Sequence, residues 1–233
     1  MFFLIIIGFM VLSMLAGLAL RNRFNAYAKV PLRSGLSGRE VAEKMLRENG
    51  LYDVQVTCVQ GTLTDHYNPM NRTVNLSPDV YSGRSVAAAA VAAHECGHAV
   101  QHATAYPFLQ FRSAMVPMQN ASARILNVII MVMMFGGMFL FKAFPFEIVL
   151  LTIIACQGVI TLFSVITLPV EFDASNRALS WLNTQGGVMS GNVDEHEQAK
   201  DALWWAAMTY VVAALGSLAT LLYYASMLFN RRD

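Results

Sequence analysis

Residues 90–102 read AVAAHECGHAVQH, with two histidines four apart and a glutamate directly after the first. On a helix, residues four apart differ by about 40° in direction and about 6 Å along the axis. His94 and His98 then stand on one face, one turn apart, with both imidazoles in reach of a single small cation. Glu95 points about 60° away from His98, too far round to chelate easily but close enough to hydrogen-bond a water on the metal. Two neutral imidazole ligands beside a carboxylate base suit zinc-assisted hydrolysis. Zinc lowers the pKa of its water to about 7, and the base takes the proton as that water attacks a carbonyl.

A catalytic zinc takes three protein ligands and keeps a fourth position open. A metzincin would place a third histidine ten positions after the first, but position 104 is threonine. His102 lies about 12 Å of rise beyond His94, so it is expected to be solvated or to support a ligand from behind. His196, among Asp194, Glu195 and Glu197, is expected in water. Glu171 remains as the third ligand, with Asp173 and His66 as alternatives. Ser175 shares the helical face of Glu171 and can hold the carboxylate or a ligand imidazole. Asp173 and Arg177 have the spacing of an i,i+4 ion pair. The oxyanion needs one donor besides the metal, for which Tyr67, His66 and Arg177 are candidates.

The elements that must carry these groups follow from pattern. The chain has 233 residues, 56% hydrophobic and 13% charged, where a soluble domain carries about 25% charged residues. The runs Phe2–Leu20, Ile125–Phe141, Ile148–Val170 and Ala202–Asn230 are free of charge, and about 20 apolar residues cross a bilayer. Four transmembrane helices are expected. The first has no basic residue before it and exceeds the about 7–15 residues of a signal-peptide core, so it is expected to stay uncleaved.

Between the spans the pattern changes. Ser37 and Glu40 form a capping box opening a helix that Asn49-Gly50 closes, with Glu40–Lys44 and Glu43–Arg47 pairs along it. Val54, Val56 and Cys58 alternate with polar residues as a strand does. Asp65 to Pro69 is turn chemistry, and Thr73–Leu76 returns as the partner strand of a hairpin. Ser77-Pro78 opens a short turn, and Ser85 caps the alanine-rich helix of His94. The second span begins past Pro117, and the KAFPFE reversal leads into the third. Gly186-Gly187 ends the following helix, and Asp194 with Glu197 caps the last one.

Of sixteen Lys and Arg, thirteen lie in the segments 21–124 and 177–200, and only Lys142, Arg231 and Arg232 lie elsewhere. Basic loops stay in the cytoplasm, which puts both larger polar segments there and both termini outside. Arg231 and Arg232 then fall awkwardly on the outer side. A net charge of +1 gives no reason to expect a nucleic-acid partner, and three scattered cysteines form no disulfide framework.

LTDHYNP, AAHECGHAVQ and LPVEFDAS together resemble the bacterial membrane-bound neutral zinc metallopeptidases of the YugP type, across nearly the whole chain. A more distant similarity is to HtpX-type membrane zincins, in which a transmembrane hairpin separates the HExxH helix from an E-x-x-A-D helix. The resemblance implies His94, His98 and Glu171 as ligands, Glu95 as base and Ala174 as the small residue, with Ser175 standing where those enzymes carry Asp. It implies proteolysis and names no substrate.

The expectation is an α-helical integral membrane protein with four transmembrane helices and a small α+β zincin-like, gluzincin-like cytosolic catalytic unit. Its segments are a first span (1–20), a catalytic unit (21–116), a transmembrane hairpin (117–170), a cytosolic helix (171–201) and a last span (202–230). One Zn2+ per chain, a protein or peptide substrate and the lipid bilayer are the expected partners. A peptide would dock extended on an edge strand from Val54–Leu63 or Arg72–Leu76. The rival is a non-catalytic zinc-binding membrane scaffold, although structural zinc is usually closed by four Cys or His ligands.

Overall fold

The computed structural model describes residues 2–184, 188–189 and 191–229, with residues 2 and 136–143 described by their backbone alone. Among the described residues, seven helices and three short strands follow in the order α1 (Phe2–Tyr27), α2 (Gly38–Glu48), β1 (Gln55–Cys58), β2 (His66–Asn68), β3 (Thr73–Leu76), α3 (Pro78–Tyr81), α4 (Val86–Ala103), α5 (Pro107–Ala143), α6 (Phe146–Asn183) and α7 (Val193–Phe229). The chain divides into two compact units, one of residues 1–14, 111–168 and 210–233, the other of 15–110 and 169–209.

The first unit is helical. Segments Phe3–Tyr27, Pro107–Phe135, Phe146–Asn183 and Val193–Phe229 are long and apolar enough to cross a membrane. Large apolar side chains such as Met131, Met134, Phe135 and Leu222 are exposed. The helices run further than the uncharged stretches suggest. α5 begins at Pro107 and continues through Pro117, and α6 carries the chain past Pro169 to Asn183 without a break.

The second unit is built round α4. Its alanines Ala89, Ala90, Ala92, Ala93 and Ala99 are buried with Cys96, so a helix clothed in small side chains lets neighbours approach from several sides. Val41, Ala42, Met45 and Leu46 of α2, Val74 and Leu76 of β3, and Ala178 and Leu182 of α6 complete one core. Ser85 Oγ accepts from Ala88 N at 3.2 Å and so starts α4. Pro31 bridges to Ser85, and Leu32 N donates to the Arg84 carbonyl at 2.9 Å, which pins that start. α2 has its expected capping box, with Ser37 N donating to Glu40 Oε2 at 2.7 Å. The ion pairs seen along it are Arg39–Glu43 and Lys44–Glu48, and Glu40 also meets Arg84 from the α4 side.

The strands correct the expected hairpin. β1 pairs with β3 in parallel, and β2, expected as turn, is a three-residue strand antiparallel to β3, giving the order β1-β3-β2. β3 is therefore central and offers no free edge at Thr73–Leu76. Two caps also differ. Ser77 donates to Asp65 instead of capping α3, and Asn192 Oδ1, not Asp194, accepts from Glu195 N at 3.3 Å to open α7. Glu195 is buried and accepts from Arg33 N at 2.7 Å. His196, expected in water, is instead half-buried, with its Nδ1 atom enclosed. Gly186-Gly187 and Arg231-Arg232 lie outside the described residues.

Candidate metal centre

In the HECGH turn of α4, Glu95, Cys96, Gly97 and His98 are buried and His94 is partly buried. Cys96 faces the core, where its thiol donates to the Ala42 carbonyl at 3.6 Å. Gly97 faces α6 so closely that a Cβ there would lie 2.5 Å from the Ala174 carbonyl oxygen. A side chain at position 97 would hold the helices apart; without one, their backbones touch. Glu171, one turn before Ser175 on α6, is thereby delivered to the two histidines.

The rings of His94 and His98 lie edge to face, with centroids 4.8 Å apart. Glu171 Oε2 is 3.4 Å from His94 Nε2 and 3.6 Å from His98 Nε2. Tetrahedral zinc binds nitrogen and oxygen at about 2.0–2.2 Å, which sets ligand atoms roughly 3.3–3.6 Å apart. The three donor atoms all lie within 4.8 Å of one another, so His94, His98 and Glu171 could hold a metal ion. Glu171 is only 3% exposed. A carboxylate so deeply buried needs a cation or strong donors, and two imidazoles and an acid are a donor set that suits zinc.

Each imidazole is held from behind. His94 Nδ1 lies 3.1 Å from Ser175 Oγ, and His98 Nδ1 lies 3.0 Å from Gln101 Oε1. Burial works against charge on His98, but Glu171, Glu95 and Gln101 outweigh it and hold its pKa above the usual histidine value.

Glu95 is buried beside this group but is not part of it. Its Oε2 accepts from Tyr67 N at 3.0 Å. β2 supplies that N–H from its open side. Tyr67 is opposite Val74, and β3 turns the carbonyls of Arg72 and Leu76 towards β1, which accept from Gln55 N and Val59 N. Val74 lies in the same alternation, so the pair Tyr67–Val74 is not hydrogen-bonded and the Tyr67 backbone points outwards.

The remaining candidates are engaged elsewhere. Asp173 Oδ2 accepts from Arg177 Nε at 2.6 Å and from Gln101 Nε2 at 2.8 Å. Arg177 also lies over the Tyr106 ring, 5.8 Å from its centroid. His66 is exposed, with Nδ1 at 2.8 Å from the Thr64 carbonyl and Nε2 at 3.3 Å from Asn75 Nδ2. The Tyr67 hydroxyl meets His102 Nδ1 at 2.9 Å. Sequence reasoning passed over Gly97, Gln101 and the Tyr67 N–H. Gln101 sits one turn after His98 and was open to notice; the other two depend on how elements meet.

Residues 2–229 match the family model described as "Putative neutral zinc metallopeptidase". Over 233 residues, covering 100% of this chain and 99% of the relative, the chain is 40% identical to "Putative membrane protease YugP" of Bacillus subtilis (strain 168). No solved structure matches it. With a matching family model and a relative aligned along nearly their whole lengths, the chain belongs to the neutral zinc metallopeptidase family.

Proposed function

We propose that the protein is a membrane-embedded zinc endopeptidase that hydrolyses peptide bonds at the cytosolic membrane surface. The observation that carries this is the approach of one buried carboxylate oxygen of Glu171 to both Nε2 atoms of His94 and His98, at 3.4 and 3.6 Å. A zinc ion held by these three residues supplies a Lewis acid for the scissile carbonyl and a water acidified to a pKa of about 7.

The chain's own groups do the rest. Glu95 is the general base: it receives the proton of the attacking water and passes it to the leaving amine. The Tyr67 N–H fixes the carboxylate of Glu95 on the β2 side of the site. A peptide lying extended along β2 would meet the outward Tyr67 carbonyl with its own N–H, as an added strand does. Strand addition thus belongs to β2 and not to the stretch 72–76. Among the oxyanion candidates, Arg177 is committed to Asp173 and His66 to Thr64 and Asn75. The Tyr67 hydroxyl meets the exposed His102 and, among the described residues, no carboxylate or carbonyl competes for its proton there, so it is the preferred donor. The cytosolic placement rests on the thirteen-to-three distribution of basic residues.

Metal content and cleavage of an unfolded protein by the purified chain test this function. The wild type should carry about one zinc per chain and cleave. Glu95→Gln should keep the zinc and lose at least about 10²–10⁴-fold in hydrolysis. Loss of metal from that variant, or cleavage at the wild-type rate, would remove Glu95 as base. A zinc-loaded wild type that cleaves nothing would favour the scaffold.

A further inference from the structure

Gln101 has no exposed surface, and both ends of its amide are matched. Its Nε2 donates to the Val170 carbonyl and to Asp173 Oδ2, both at 2.8 Å. Its Oε1 lies 3.0 Å from His98 Nδ1. The direction of these bonds is decided by chemistry. A backbone carbonyl and a carboxylate both require donors, and only the amide nitrogen has two hydrogens to give. The amide oxygen is left facing His98, where only an N–H can meet it.

The proton of neutral His98 is therefore on Nδ1, and the lone pair is on Nε2, the atom that faces Glu171. His94 has no equivalent constraint at its Nδ1. Its Nδ1 meets the Ser175 hydroxyl, which can donate or accept and so dictates nothing.

We propose that Gln101 is the positioning residue of the second metal ligand. It determines which nitrogen of His98 is offered to the metal and ties the ring to α6 through Val170 and Asp173. Asp173 is itself anchored by Arg177 at 2.6 Å, so the polar chain runs from the imidazole to the Arg177 guanidinium without an unmatched group. This proposal rests on His98 being a metal ligand, as proposed above. Groups that hold a ligand histidine from behind are typically worth about 10–100-fold in metal affinity.

The test uses the full chain in detergent with 15N-labelled histidine, at a pH where imidazole is neutral. Zinc-free wild type should show His98 as the Nδ1–H tautomer. Gln101→Leu should turn His98 into a mixture and weaken zinc binding about 10–100-fold in chelator competition. Gln101→Glu combined with Asp173→Asn restores an acceptor for His98 and a donor between the two side chains but leaves the Val170 carbonyl without its donor, so it should recover the Nδ1–H tautomer and part of the zinc affinity. A residue that only fills space would lower thermal stability without moving the tautomer. Finding wild-type His98 as the Nε2–H tautomer overturns the proposal, as does unchanged zinc affinity in Gln101→Leu. If that variant does not fold, the wild-type spectrum and the double variant decide. If the wild type binds no zinc, the metal site falls while the tautomer still judges Gln101.

Discussion

Gly97 and Ala174 meet backbone to backbone: a Cβ on Gly97 would lie 2.5 Å from the Ala174 carbonyl oxygen and 3.1 Å from its carbon. Neither atom can swing aside as a side chain would. Gly97→Ala must push α4 away from α6, and the distance between the histidines and Glu171 must grow with it. The expected cost is about 1–3 kcal/mol of stability, the usual range for overpacking, together with a clear loss of zinc affinity. Thermal unfolding and chelator competition on the purified variant measure the two effects. Wild-type values in both would show that the helices separate freely and that the contact does not set the site.

The parts of the site legible from the sequence are those within one helix. His94, Glu95 and His98 are fixed relative to one another by the helical repeat alone, and Ser85 marks where that helix starts. What lies between elements was harder to see. Helical phase sets Glu171 and Asp173 about 200° apart but leaves open which of them turns towards α4, because that depends on the rotation of α6. β2 is three residues long, too short to show a period, and its histidine, asparagine and following proline read as turn. The parallel pairing of β1 with β3 has no local signal at all. The asparagine cap of α7 was hidden by the more acidic residues after it.

The native cysteines provide a topology test without engineering. Cys58, at the end of β1, is exposed, whereas Cys96 and Cys156 are buried. If the polar segments face the cytoplasm, a membrane-impermeant maleimide should leave Cys58 unlabelled in intact cells and label it after permeabilisation. Labelling from outside would invert the orientation inferred from the basic residues.

Zinc and protons should compete at His98. Its pKa is raised above the usual value of about 6.5, so the metal-free site takes up a proton more readily than an ordinary histidine does. That proton stabilises the metal-free fold below the unfolded-state pKa, and the contribution is lost as pH rises through the folded value. Zinc binding has the opposite sign, since it requires the neutral ring. Affinity should climb with pH through the neutral range and level off only above the raised pKa. Titrations at several pH values, with proton release followed in weakly buffered solution, measure this. An affinity constant from pH 8 down to pH 6 would mean that His98 carries no proton in the empty site.

Glu171 and Asp173 are two residues apart on α6, and exchanging each carboxylate for its amide separates their roles. Glu171 lies between two imidazoles with 3% exposure. Asp173 faces Gln101 and Arg177 instead. An amide oxygen is a much poorer zinc ligand than a carboxylate, so Glu171→Gln should give folded, membrane-inserted protein with little zinc and no hydrolysis. Asp173→Asn keeps an oxygen able to accept from Gln101 and should retain about one zinc per chain, with weaker binding at most. Its effect should instead appear as a modest loss of stability, because Arg177 loses its charged partner. Metal analysis and thermal unfolding of both purified variants distinguish the roles. A metal-free Asp173→Asn beside a zinc-loaded Glu171→Gln would rotate α6 by about half a turn relative to the site described. Full zinc in both variants would make neither carboxylate a ligand, and the exposed His66 would then be the next residue to change.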